Sequence, residues 1–87
     1  MYKVIMYRTT KTNTGTAIIK DGITRKKDAY GLVKQLMHST LDTIEGHDFF
    51  HMDDYALSVN DGWVILWSLT TGLILSIYYE VIEYAIT

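Results

Sequence analysis

The chain of 87 residues predicts an α+β fold: a single antiparallel-type sheet of about five strands in ββαβββ order, with one amphipathic helix packed on one face. Three observations lead there. Proline is absent while Val, Ile, Thr and Tyr are abundant, which favours uninterrupted strands. One stretch, 25–45, repeats its apolar residues at helical spacing. Glycine and other turn residues fall where the strand-like runs stop.

Residues 1–9 read as the first strand. Thr10 to Gly15 is a polar loop, Thr16 to Lys20 a short second strand, and Asp21-Gly22 a tight turn. Thr24 is the expected N-cap of the helix. Behind it Ala29, Leu32, Val33, Leu36, Met37, Leu41 and Ile44 are spaced by threes and fours, which makes one apolar stripe. Gly46 is the expected stop, and 47–54 reads as a loop or irregular turn. Tyr55 to Val59 is the next strand. Asn60-Asp61-Gly62 is a turn with glycine in its left-handed position, and Trp63 to Leu69 follows as a strand. Thr70-Thr71-Gly72 repeats the turn chemistry, and a long last strand runs from Leu73 to about Tyr84.

The last two strands are apolar on both sides. Trp63, Ile65, Trp67 and Leu69 oppose Val64 and Leu66; Leu73, Leu75, Ile77, Tyr79 and Val81 oppose Ile74, Tyr78, Ile82 and Tyr84. One helix covers one face. The other face then needs the chain's own Phe49-Phe50 loop, a second copy or a foreign partner.

Such a chain forms one domain over 1–87 and buries only about 60–65% of its unfolded surface, so oligomerisation is an expected support. With no Cys there are no disulfides, thiolate metal sites or Cys nucleophiles, which fits a reducing, cytoplasmic setting. Met1 opens directly into an alternating segment, so no secretory leader is expected. The run from Trp63 to Tyr79 carries no charge over 17 residues. Ser68 to Gly72 breaks it with turn residues, so a buried hairpin is expected there and no membrane partner.

The charges are sorted. All eight Lys and Arg lie between Lys3 and Lys34, opposed only by Asp21 and Asp28, which leaves +6. From Gln35 onward there is no cation, and Asp42, Glu45, Asp48, Asp53, Asp54, Asp61, Glu80 and Glu83 make −8. Sorting of this kind points to charged partners, or to two segments that neutralise each other. Asp42, Glu45, Asp48, Asp53 and Asp54 form an acidic run suited to a protein partner with a basic surface. Phe49, Phe50, Trp63 and Trp67 are the candidate aromatic anchors.

Arg25-Lys26-Lys27 at the helix N-terminus opposes the helix dipole and, with Arg8 and Lys11, is the candidate nucleic-acid contact. Lys3 and Lys20 could extend it, with Tyr2, Tyr7 and Tyr30 as stacking surfaces. A solvated cationic turn is the plain alternative. His47 and His51 are weak metal candidates beside Asp48 and Asp53, and His38 completes the histidines. No cofactor is expected. Ser39, Ser58, Ser68 and Ser76 sit in no nucleophile elbow, and adjacent Asp53-Asp54 match no acid–base pair, so an enzyme is not expected.

The hairpin-then-helix opening resembles small sheet-plus-helix modules such as the HicB-like antitoxins in element order. The residues characteristic of that family are missing, so the resemblance implies a fold and no function. The leading expectation is a small, cytoplasmic, non-catalytic protein that acts stoichiometrically on a macromolecule through an acidic patch and an aromatic sheet. A phage or mobile-element inhibitor of a host nucleic-acid enzyme, anti-CRISPR-like, fits that description. The alternatives are a nucleic-acid-binding dimer and a self-assembling structural protein.

Overall fold

The computed structural model describes residues 1–45 and 55–85. Five strands and one helix follow in the order expected: β1 (Tyr2–Thr10), β2 (Thr14–Ile23), α1 (Lys26–Glu45), β3 (Tyr55–Asn60), β4 (Trp63–Ser68) and β5 (Gly72–Glu83). The strands form one antiparallel sheet in the spatial order β2-β1-β5-β4-β3. β5 is central, so the last strand of the chain joins the opening hairpin to the closing one.

Local chemistry sets most boundaries. β1 turns into β2 through Lys11 to Asn13, where Thr10 donates its N–H to the Asn13 carbonyl at 2.8 Å. β2 is longer than the sequence reading places it, because Asp21-Gly22 is no turn. Gly22, at φ 68°, takes the left-handed conformation inside the strand. The register against β1 slips between Tyr2 and Val4, so an extra residue is absorbed as a bulge and pairing resumes at Ile23. The strand therefore survives a signal that usually ends one. Gly62 and Gly72, at φ 75° and 89°, hold the two later turns as expected. Leu69 lies outside β4 and is strongly exposed in the second of these turns. There Ser68 folds its hydroxyl back to accept the N–H groups of Thr70 and Thr71, both at 3.2 Å.

The helix begins one residue later than the Thr24 cap implies. The carbonyl of Arg25 accepts from Asp28 and Ala29, at 3.1 and 3.2 Å, which puts Arg25 in the capping position. Asp28 then sits in the first turn, where its charge suits the helix dipole and offsets Lys26 and Lys27. The Gly46 stop lies outside the described residues.

The helix lies across the face formed by even-numbered β1 and β4 positions and, from Leu75 on, odd-numbered β5 positions. The β4–β5 register slips between Leu66 and Trp67, so Ile74 also packs on this side while Leu73 pairs with Trp67. Its N-terminal half brings Ala29 and Val33 against Val4, Ile23 and Tyr79. Its last turn brings Ile44 against Val64 and Leu66. Thr40 donates its hydroxyl to the Leu36 carbonyl at 2.8 Å, so Tyr79 is the donor in the 2.7 Å hydroxyl contact between Tyr79 and Thr40. That contact satisfies the polar end of a buried ring and pins the helix to the central strand.

Candidate protein-binding surface

The sheet face away from the helix is built from the alternate positions: Lys3, Ile5 and Tyr7 on β1, Ser76, Tyr78, Glu80 and Ile82 on β5, and Trp63, Ile65 and Trp67 on β4. Pairing places Tyr7 opposite Tyr78, and Tyr78 opposite Trp63. Three rings from three strands therefore form one row across the centre. Tyr7 and Tyr78 stack with centroids 5.9 Å apart, and Trp63 meets Tyr78 edge-on at 5.8 Å. Such offset and edge-on pairs are worth about 0.5–1.5 kcal/mol beyond their buried area. The rings nonetheless remain in water: Trp63 is 41% and Tyr78 38% exposed. Ile18, on the flanking strand β2, is 60% exposed and extends the patch.

Several polar tips on this face are bonded within it. The Tyr7 hydroxyl donates to Glu80 Oε2 at 2.7 Å, and the Trp63 indole N–H donates to Ser76 Oγ at 2.9 Å. The bond to Glu80 is the main cause that raises the Tyr7 pKa above its ordinary 10.0, because ionised Tyr7 would lose the bond and face a carboxylate. At the rim, Tyr84 donates its hydroxyl to Asp21 Oδ1, which also accepts the Gly22 N–H at 2.7 Å. The Tyr84 bond, then the Gly22 bond, lowers the Asp21 pKa below 3.8; the same contact raises that of Tyr84. The Lys3 ammonium lies 5.6 Å from the Tyr84 ring centroid. The bulge at Asp21-Gly22 thus turns a carboxylate toward the end of β5.

The residues singled out in the sequence fall into separate places. Trp63 and Trp67 are on the open face. Asp42 and Glu45 are exposed on the helix, on the other side of the sheet, so one flat partner does not cover both sets. Asp48, Phe49, Phe50, Asp53 and Asp54, and the histidines 47 and 51, lie outside the described residues. Among the described residues no group of three or more His, Asp or Glu could hold a metal ion, and no helix is long and apolar enough to cross a membrane.

The cations also divide. Lys20 pairs with Val4 and Lys3 is its neighbour, so both lie at the end of the β1–β2 hairpin from which Ile23 leads into Arg25, Lys26 and Lys27. Lys11 is at the opposite end, a strand length of roughly 30 Å away. Arg8 lines an apolar groove of about 590 Å³ between the helix and the far half of β1 and β5, with Leu36, Ile44, Leu66 and Ile77. Lys26 is 5.9 Å from the Tyr30 ring centroid, one helical turn along.

Sequence reasoning passes over the Tyr7–Glu80 and Asp21–Tyr84 contacts. They join positions 73 and 63 residues apart, and only the pairing of β1 with β5 brings them together. The alternation of Tyr78, Glu80 and Ile82 marks a shared face, but not which strand lies beside it. No protein-family model, no curated protein and no solved structure matches the chain.

Proposed function

We propose that the protein is a non-catalytic binding module that acts by stoichiometric contact with other protein, and that the open aromatic face is its main docking surface. The observation that supports this is the ring row of half-buried Tyr7 with exposed Tyr78 and Trp63 on the central strands, with no helix over it among the described residues. Tyr and Trp supply large contact area at low entropic cost and are enriched where binding energy concentrates. The helix side offers a second surface. Asp42 and Glu45 lie exposed in its last turns and suit a basic protein surface, such as the nucleic-acid groove of a host enzyme met by an anti-CRISPR-like inhibitor of phage origin. Cytoplasmic residence belongs to the same reading and is supported by the absence of Cys.

A nucleic-acid reading keeps one specific support, the gathering of Lys3 and Lys20 at the end of the hairpin that leads into Arg25, Lys26 and Lys27. The test compares nuclease-treated capture from a bacterial lysate by wild type, by Asp42→Lys/Glu45→Lys, and by Arg25→Ala/Lys26→Ala/Lys27→Ala. A stoichiometric protein lost only with the charge reversals supports the acidic helix end. Nucleic acid that elutes with salt and is lost with the triple alanine variant replaces that reading by the basic one.

A further inference from the structure

We infer that the protein seated on the open aromatic face is a second copy of this chain, packed sheet against sheet. The inference rests on the reading of that face as a docking surface and names its occupant.

Three features carry it. The first is charge. The chain as a whole is sorted into +6 and −8 segments, yet the open face escapes the sorting. It holds Lys3, Glu80 and, at its rim, Asp21. A partner with a strongly charged surface finds nothing to match here, and its charges would be desolvated against aromatic rings. Two copies of the face present each other with little net charge and no block of like charge. The sorted cations of Arg25 to Lys27 and the acids Asp42 and Glu45 stay outside such a contact, because the helix is on the other side of the sheet.

The second is hydrogen bonding. Covering a polar group with an apolar surface costs free energy unless that group is already hydrogen-bonded. Tyr7 is bonded to Glu80, Trp63 to Ser76 and Tyr84 to Asp21, each across or along the sheet. Covering these groups with an apolar surface therefore strands no donor among them.

The third is size. Five strands of 6 to 12 residues, about 4.8 Å apart and averaging roughly nine residues, give a face of roughly 20 by 30 Å, so a pair buries at most roughly 1,200 Å², the lower end of specific interfaces. The central row Tyr7, Tyr78 and Trp63 supplies the anchors of such a contact, and the aligned packing of two sheets supplies its geometry. Burial of that area also meets the needs of a chain too short to form a large core of its own.

The experiment is sedimentation equilibrium of the purified chain from low to several hundred micromolar, with acrylamide quenching of Trp63 and Trp67 fluorescence on the same samples. The expected result is a mass twice the 10.0 kDa of one chain at high concentration, with quenching that weakens as the mass rises. Tyr78→Lys sets two cations against each other at the centre of the pair and is expected to weaken association about tenfold or more. Circular dichroism checks that this variant keeps its fold, and Trp63→Ser serves as a second, charge-neutral variant.

A monomer at every concentration overturns the inference, whether its tryptophans are quenched or shielded. So does a dimer that both variants leave intact, since its interface then lies elsewhere. The docking reading fails on a different result: a monomeric wild type from whose lysate partners neither Tyr78→Lys nor Trp63→Ser removes anything.

Discussion

On one side of the sheet Val4, Val64 and Leu66 are sealed beneath the helix; on the other, Tyr78 and Trp63 lie in the open beside half-buried Tyr7. Both sides are apolar, and both are stitched by hydrogen bonds between distant residues. They differ in what covers them. The helix is tethered to β2 by two residues and cannot leave, so the face beneath it is the stability core of the domain. Among the described residues the opposite face has no helix packed on it. Side chains of similar hydrophobicity are therefore placed for different jobs on the two sides: those below the helix hold the fold, and those above are the ones proposed to meet a partner.

Mutations that separate the two roles sharpen this comparison. The largest effect belongs under the helix. Leu66→Ala leaves a cavity beside Ile44 and Val64 and is expected to cost about 2–5 kcal/mol, enough to unfold much of a domain this small. Urea denaturation followed by circular dichroism measures it. Next comes Gly62, at φ 75°, where an added Cβ would stand 2.9 Å from the Tyr79 carbonyl oxygen. Gly62→Ala combines a left-handed alanine with a backbone clash, and a loss of about 1–3 kcal/mol is expected in the same assay.

Thr40→Val removes the acceptor of the buried Tyr79 hydroxyl and is expected to cost about 1 kcal/mol. A loss that disappears in the Tyr79→Phe background would show that the two hydroxyls act as a unit. On the open face, Trp63→Ser is expected to change monomer stability by only about 0.5–1 kcal/mol while it weakens association. A destabilisation as large as that of Leu66→Ala would erase the distinction between the faces.

The smallest effects are those of pH on the open face. The Asp21 pKa is lowered in the folded chain, so its contribution is present above the unfolded value and is lost as pH falls through the folded one. Asp21→Asn should flatten the acid limb of the stability profile below about pH 4. The Tyr7 pKa is raised, so its contribution is complete below the ordinary 10.0 and is lost as pH rises through the folded value. Tyr7→Phe should flatten the alkaline limb, and a limb of unchanged slope would show that the Glu80 bond carries no linkage.

The period of the apolar residues was enough to define the elements and their order. A spacing of three and four marks α1, a spacing of two marks the strands, and glycine at positive φ marks the turns at Gly62 and Gly72, because each signal is local. The same alternation separated Val64 and Leu66 from Trp63, Ile65 and Trp67. Where local chemistry had two outcomes, it misled: Asp21-Gly22 reads as a turn and is a bulge, since pairing of Ile23 with Tyr2 outweighs the signal for a reversal. Only the tertiary structure decided that β5 lies between β1 and β4, which face the helix covers, and that Tyr7 meets Glu80. The pairing of β5 with β1 and the Tyr7–Glu80 bond depend on contacts more than 60 residues apart along the chain, and the covered face on helix–sheet contacts such as Thr40 with Tyr79, 39 residues apart; no periodicity reports which distant element will pack or share a hydrogen-bond ladder. The charge sorting shows the same limit. It is plain in the sequence, but that the aromatic face lies apart from both charged ends of the helix follows from the packing of α1 on the other side.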